Sequence, residues 1–81
     1  MPRPVQYALR DRDILRWIMN HPGTGVPYTT RTLGDAAGCS HSLVGRLLSG
    51  ATTSTTADTA HALSEALGTA VLVLFAPPTS P

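Results

Sequence analysis

The stretch Thr29-Thr-Arg-Thr-Leu-Gly-Asp-Ala-Ala-Gly-Cys-Ser-His-Ser-Leu-Val-Gly-Arg-Leu-Leu-Ser-Gly50 decides the fold, because it spells two short helices joined by one tight turn. Gly38 stands where the first helix must stop. The residue just past a helix end commonly takes a positive φ, which glycine adopts without a Cβ penalty. Ser40 then caps the second helix with its hydroxyl. Leu33, Ala36 and Ala37 fall at i, i+3, i+4 spacing and are expected to be buried on the first helix. Val44, Leu47 and Leu48 repeat that spacing on the second, and the small side chains permit a close crossing.

The pattern reads as a helix-turn-helix, and it leaves a polar stripe. Ser42, Gly45, Arg46 and Ser49 fall at i, i+3, i+4 and i+7 on the face away from Val44 and Leu47, with His41 beside them in the first turn. This face holds an arginine, a histidine and small hydroxyls but no carboxylate. Such a set suits a groove lined with base edges and phosphates: arginine bonds guanine O6 and N7, histidine donates to acceptors, and serine bonds either base edges or phosphate. The bland alternative is a solvated helix face, but those usually mix acids with bases.

Eighty-one residues make one domain, and a chain this small buries only about 60% of its unfolded surface. With 42% hydrophobic and 14% charged residues, it suits an all-α, compact bundle of about five short helices containing the helix-turn-helix. The net charge of +1, carried entirely by arginines on the basic side, is a weak electrostatic footprint for nucleic acid. Any basic patch must come from placement, and a dimer on paired half-sites would double the phosphate contacts. A single cysteine, Cys39, cannot form an internal disulfide, so a cytoplasmic protein is expected. No apolar run follows Met1-Pro-Arg-Pro and the longest, Ala70 to Pro78, is too short to span a bilayer, so neither a signal peptide nor a membrane role is expected.

Residues 1–10 read as an N-terminal arm, 11–76 as the domain and 77–81 as a Pro-rich tail. Asp11 to Met19 reads as a helix with Ile14, Trp17 and Ile18 as its apolar edge and Trp17 as a core anchor; the alternative is an exposed tryptophan stacking on a base. His21-Pro-Gly-Thr-Gly-Val-Pro27 breaks that helix and forms a connector that reaches toward DNA in the alternative reading. Ala51 to Thr56 reads as a loop. A further helix follows, capped by Thr55 or Thr56 and stopped by Gly68, with Ala60, Leu63, Ser64 and Leu67 toward the core. Thr69 to Phe75 fits a short buried helix, although its valines also fit a strand. Its apolarity exceeds what one helix face buries, so Val71, Leu72, Val73, Leu74 and Phe75 are the expected homodimer contact.

Catalysis, metal and cofactors are not expected. Cys39 and His41 are one residue apart, which is not a usual zinc-ligand spacing, and His21 and His61 lie on distant segments. No Gly-rich phosphate loop appears. His61 and Glu65, four apart on a helix, commonly make a solvated pair rather than an acid/base dyad.

Leu33-Gly-Asp-Ala-Ala-Gly-Cys-Ser40, Val44 with Leu47, Gly50, Ala66-Leu67-Gly68 and Leu74-Phe75-Ala-Pro77 together resemble the Cro-like, lambda-repressor-like (xenobiotic-response-element) helix-turn-helix family over about Asp11 to Pro77. The resemblance implies five helices and sequence-specific binding of double-stranded DNA, commonly as a repressor of phage, plasmid or bacterial genes, with the second helix of the motif, about Ser40–Ser49, in the major groove. By position it makes His41, Ser42 and Arg46 base-reading residues and Thr30 a phosphate contact, with Ser40 combining cap and phosphate roles. Arg31, Ser49, Thr52 and Thr53 are further candidates for backbone contacts. The chain departs from the family pattern at Gly34, where alanine is usual, at Gly45, where a base-reading side chain often stands, and at Leu48, where an acid is common. Leu48 is expected to extend the core, with a partner surface as its alternative, and the alternative function is a protein-interaction module, antitoxin-like or a phage accessory factor, built on the same scaffold.

Overall fold

The computed structural model describes residues 6–23 and 25–77. In chain order these form β1 (Gln6–Leu9), α1 (Arg12–Asn20), α2 (Thr30–Ala37), α3 (His41–Ser49), β2 (Ser54–Thr56), α4 (Ala57–Leu67), α5 (Val71–Leu74) and β3 (Phe75–Ala76). The first four helices each start behind a side chain that accepts a first-turn N–H. Asp11 accepts from Asp13, Thr29 and Thr32 cap each other reciprocally, Ser40 accepts from Leu43, and Thr56 accepts from Thr59. Such caps satisfy amides that the helix itself cannot. Gly38 and Gly50, at φ 71° and 84°, turn the chain out of α2 and α3 through the left-handed region.

The core is one cluster: Leu15 and Met19 of α1, Leu33 of α2, Val44 and Leu47 of α3, Ala60, Leu63 and Leu67 of α4, Leu74, and Phe75. Each buried leucine contributes about 1.5–3 kcal/mol of transfer free energy. All four residues assigned to the core on α4, Ala60, Leu63, Ser64 and Leu67, are buried.

Among the described residues there are five helices, but the chain is not all-α. Three short strands form an antiparallel sheet in the order β2-β1-β3, with Tyr7 opposite Thr55 and Leu9 opposite Phe75. Thus Gln6–Leu9, read from sequence as arm, is the central strand. The Ala51–Thr56 loop ends in a strand, and the Thr69–Phe75 segment is a one-turn helix that runs directly into one. The reason is backbone satisfaction: the β1 end and the residue after it find carbonyls in both neighbours, Leu9 donating to Thr53 and Arg10 to Leu74. The remaining arm and tail residues, 1–5 and 78–81, lie outside the described residues.

The apolar edge of α1 is rotated from its expected phase. Leu15 and Met19 are buried, Ile18 is half-buried, and Trp17 and Ile14 are 61% and 40% exposed. Trp17 is therefore not a core anchor: two residues from Leu15 and from Met19, it lies roughly 160° round the helix from both. On α2 Ala36 is exposed, and Gly34 is buried beside Leu33. In the proposed dimer segment, Leu74 and Phe75 belong to the core and Val71 is half-buried, so only Leu72 and Val73 are free to meet a partner. Among the described residues, no helix is long and apolar enough to cross a membrane.

Candidate nucleic-acid interface

Where α2 meets α3, the main chains approach without room for a side chain. A Cβ on Gly34 would lie 2.9 Å from the Cys39 carbonyl oxygen and 3.0 Å from the His41 nitrogen. The same approach lets the Cys39 N–H donate to the Gly34 carbonyl at 2.9 Å. Glycine at position 34 thus has a steric cause, and the close approach fixes the start of α3 against α2. Cys39, half-buried in the turn, has its thiol pushed above its ordinary value by burial, with a backbone hydrogen bond opposing part of that shift. It is a small packed residue, held as the neutral thiol.

On α3, Val44 and Leu47 are sealed into the core, which turns His41, Ser42, Arg46 and Ser49 to solvent. Gly45 lies among these exposed residues, and a Cβ there would meet nothing within 4 Å. Nothing inside the protein requires glycine at this position. Ser40 is also exposed, its hydroxyl occupied by the Leu43 N–H at 3.1 Å. Helix geometry leaves the His41 and Ser42 N–H groups without carbonyl partners within α3. The face therefore offers one guanidinium, one imidazole, hydroxyls and main-chain donors.

The other sequence-derived candidates divide. Thr30, half-buried, and Arg31, exposed, occupy the first turn of α2, four and three residues before Gly34. The Ser49 hydroxyl is already spent: it donates to the Arg46 carbonyl at 3.1 Å and accepts from the Ala51 N–H at 3.3 Å. It secures the end of α3. Thr52, half-buried, donates its N–H to the same Arg46 carbonyl at 3.2 Å, and Thr53 is exposed while its carbonyl receives β1.

Sequence reasoning missed Arg12 and Arg10. The Arg12 Nη1 donates to the Ser49 carbonyl at 2.7 Å, bringing a positive charge to the C-terminal end of α3, where the helix dipole is negative. Arg10 Nε donates to the Leu72 carbonyl at 2.7 Å. Both line a cleft of about 240 Å³ floored by Leu9 and Leu47 and edged by Thr52 and Thr53. Nothing local in the sequence links Arg12 to a carbonyl 37 residues away. Its only signal is the Asp11 cap, which sets where α1 begins. Among the described residues, no three His, Cys, Asp or Glu side chains converge to hold a metal ion. Comparison of the chain with protein-family models, with curated proteins and with solved structures returned no match.

Proposed function

We propose that the chain is a sequence-specific, double-stranded-DNA-binding transcriptional regulator, in which α2 and α3 act as a helix-turn-helix of the Cro-like, lambda-repressor-like kind. The observation that carries this reading is the exposed face of α3, with His41, Ser42 and Arg46 outward, no acid among them, and an empty approach over Gly45. An α-helix with its side chains is about 10–12 Å across, which matches the roughly 12 Å width of the major groove. In this reading Arg46, His41 and Ser42 meet base edges, and Thr30, Arg31 and Ser40 meet phosphates. Thr52 and Thr53, which line one cleft with Arg10, Asp11 and Arg12, are assigned to a second stretch of backbone. Ser49 acts through α3 itself by holding its last turn.

The protein acts in the cytoplasm as a repressor of phage, plasmid or bacterial type, and binds paired half-sites as a homodimer through Leu72 and Val73. Their exposure of 53% and 47% supports that contact. Arg46→Ala tests the base-reading role: it should cost about 1–3 kcal/mol and relax preference at one base pair, whereas uniform weakening over all sequences would make Arg46 a phosphate contact. Sedimentation of Leu72→Asp tests the dimer contact, and a mass unchanged from the parent chain would remove it. The exposed Ile14 and Trp17 favour the second reading, a protein-interaction module, which gains if no duplex sequence is selected.

A further inference from the structure

We infer that the cleft between the start of α1 and the end of α3 is a binding site for a compact organic monoanion, a carboxylate carried on a small apolar body. This goes beyond DNA binding and does not depend on it. The cleft, about 240 Å³, is graded from floor to rim. Leu47 is buried and Leu9 half-buried at its floor, whereas Arg10, Asp11, Arg12 and Thr53 are exposed around it. A floor of aliphatic carbon beneath a few charged groups is the usual lining of a small-molecule site, and the charges select what enters. Roughly 150 Å³ of apolar cavity takes a benzene ring, so the space here admits one ring or a short branched chain together with its head group.

Both arginines are held, and neither is neutralised by what holds it. Arg10 Nε donates to the Leu72 carbonyl and Arg12 Nη1 to the Ser49 carbonyl, each at 2.7 Å. Carbonyls are neutral acceptors, so each guanidinium keeps its charge and the N–H donors on its other nitrogens. Gly50 makes the place for Arg12: a Cβ there would lie 2.7 Å from Nη1, so the missing side chain is the room in which the guanidinium lies. Asp11 is the one acid among the lining residues, and its Oδ1 is engaged by the Asp13 N–H at 2.8 Å, at the positive end of α1. Two guanidiniums against one carboxylate leave a single positive charge in excess, which a monoanion balances and a dianion overshoots. A carboxylate matches the planar guanidinium fork, and the apolar body it carries covers the floor that a bare inorganic ion would leave wet. A DNA phosphate at Thr52 and Thr53 accounts for the rim but not for the leucine floor.

The probe is benzoate, titrated at constant ionic strength into the isotope-labelled full chain without DNA and followed by amide chemical-shift mapping, beside benzamide, inorganic phosphate, Arg10→Gln and Arg12→Gln. The site predicts saturable shifts, half-complete at about 1 mM, that centre on the amides of Leu9 to Arg12, Gly50, Thr52 and Thr53. Benzamide, with the ring and no charge, and phosphate, with charge and no ring, each bind roughly tenfold more weakly. Each glutamine variant, which keeps the stem and loses the charge, weakens benzoate by a similar factor. Amide spectra that overlay the parent's outside the cleft show that the variants are folded, and the benzamide and phosphate arms use the parent chain alone. Shifts that do not saturate, or that centre on Ile14 and Trp17 or on the exposed face of α3, overturn the inference. Benzamide as strong as benzoate overturns it by taking the charge out of recognition, phosphate as strong as benzoate by taking the floor out, and undiminished binding by either glutamine variant by taking that arginine out.

Discussion

Two helical glycines, Gly34 in α2 and Gly45 in α3, should respond to the same substitution in opposite directions. Alanine in place of a helix-interior glycine gains about 0.5–1 kcal/mol of propensity. At Gly45 the new methyl meets no atom within 4 Å, so the gain is undiminished. For a domain of this size it raises Tm by about 2–8 °C. At Gly34 the methyl would stand 2.9 Å and 3.0 Å from main-chain atoms of Cys39 and His41, which cannot rotate aside. Overpacking of this kind costs about 1–3 kcal/mol, enough to exceed the propensity gain and leave Gly34→Ala less stable by about 1–2 kcal/mol. Urea denaturation followed by far-UV circular dichroism measures both, and equal m-values keep the comparison to stability alone. If Gly34→Ala matches or exceeds the stability of Gly45→Ala, the reasoning about the α2–α3 approach is refuted. Duplex binding adds a second contrast: Gly45→Ala, though more stable, should bind a selected duplex more weakly because its methyl occupies the approach to the groove. Undiminished binding would take Gly45 out of the interface.

Arg12→Ala removes the guanidinium from the Ser49 carbonyl and should lower stability by about 1 kcal/mol, less at high salt; a thermal melt at two ionic strengths reads this, and an unchanged Tm at low salt contradicts it. Ser64→Ala should be neutral or stabilise by about 1 kcal/mol, because the Ser64 hydroxyl is buried without a hydrogen-bond partner and alanine keeps the helix; a loss of more than about 1 kcal/mol would show that the hydroxyl is satisfied in solution. Burial raises the Cys39 pKa in the folded chain, so its contribution to stability is fully present below the unfolded-state value and is lost as pH rises through the folded one. Cys39 should therefore react with a thiol reagent more slowly than an unfolded control at neutral pH, and the parent should lose stability relative to Cys39→Ala in the alkaline range; equal rates and parallel pH profiles would contradict this.

What the sequence reveals here is mostly punctuation and the buried faces of the longer helices. Ser40, Thr56, Gly38, Gly50 and Gly68 mark helix ends because capping hydroxyls and left-handed glycines act within a few residues of themselves. The exposed set His41, Ser42 and Arg46 follows from burying Val44 and Leu47. The sheet was not legible. Its strands are four, three and two residues long, too short for an alternating pattern, and their pairing joins residues some fifty to seventy positions apart. The phase of α1 was misread for a different reason: Ile14, Leu15, Trp17, Ile18 and Met19 contain two overlapping helical stripes, and the larger residues do not decide which one faces the core. The tertiary fit chose Leu15 and Met19. Gly34 and Arg12 act through contacts with distant main-chain atoms, which no local pattern records.

The most direct test of the central claim is fluorescence anisotropy of the purified protein against a randomised duplex pool and then the enriched sequence, at several salt concentrations, beside Arg46→Ala. A sequence-reading α3 predicts enrichment of a defined site, a log K against log salt slope of a few units per protomer, and relaxed preference at one base pair in the variant. Absence of enrichment at low salt, with the protein folded, would contradict the claim and leave the α2–α3 unit as a scaffold for protein partners.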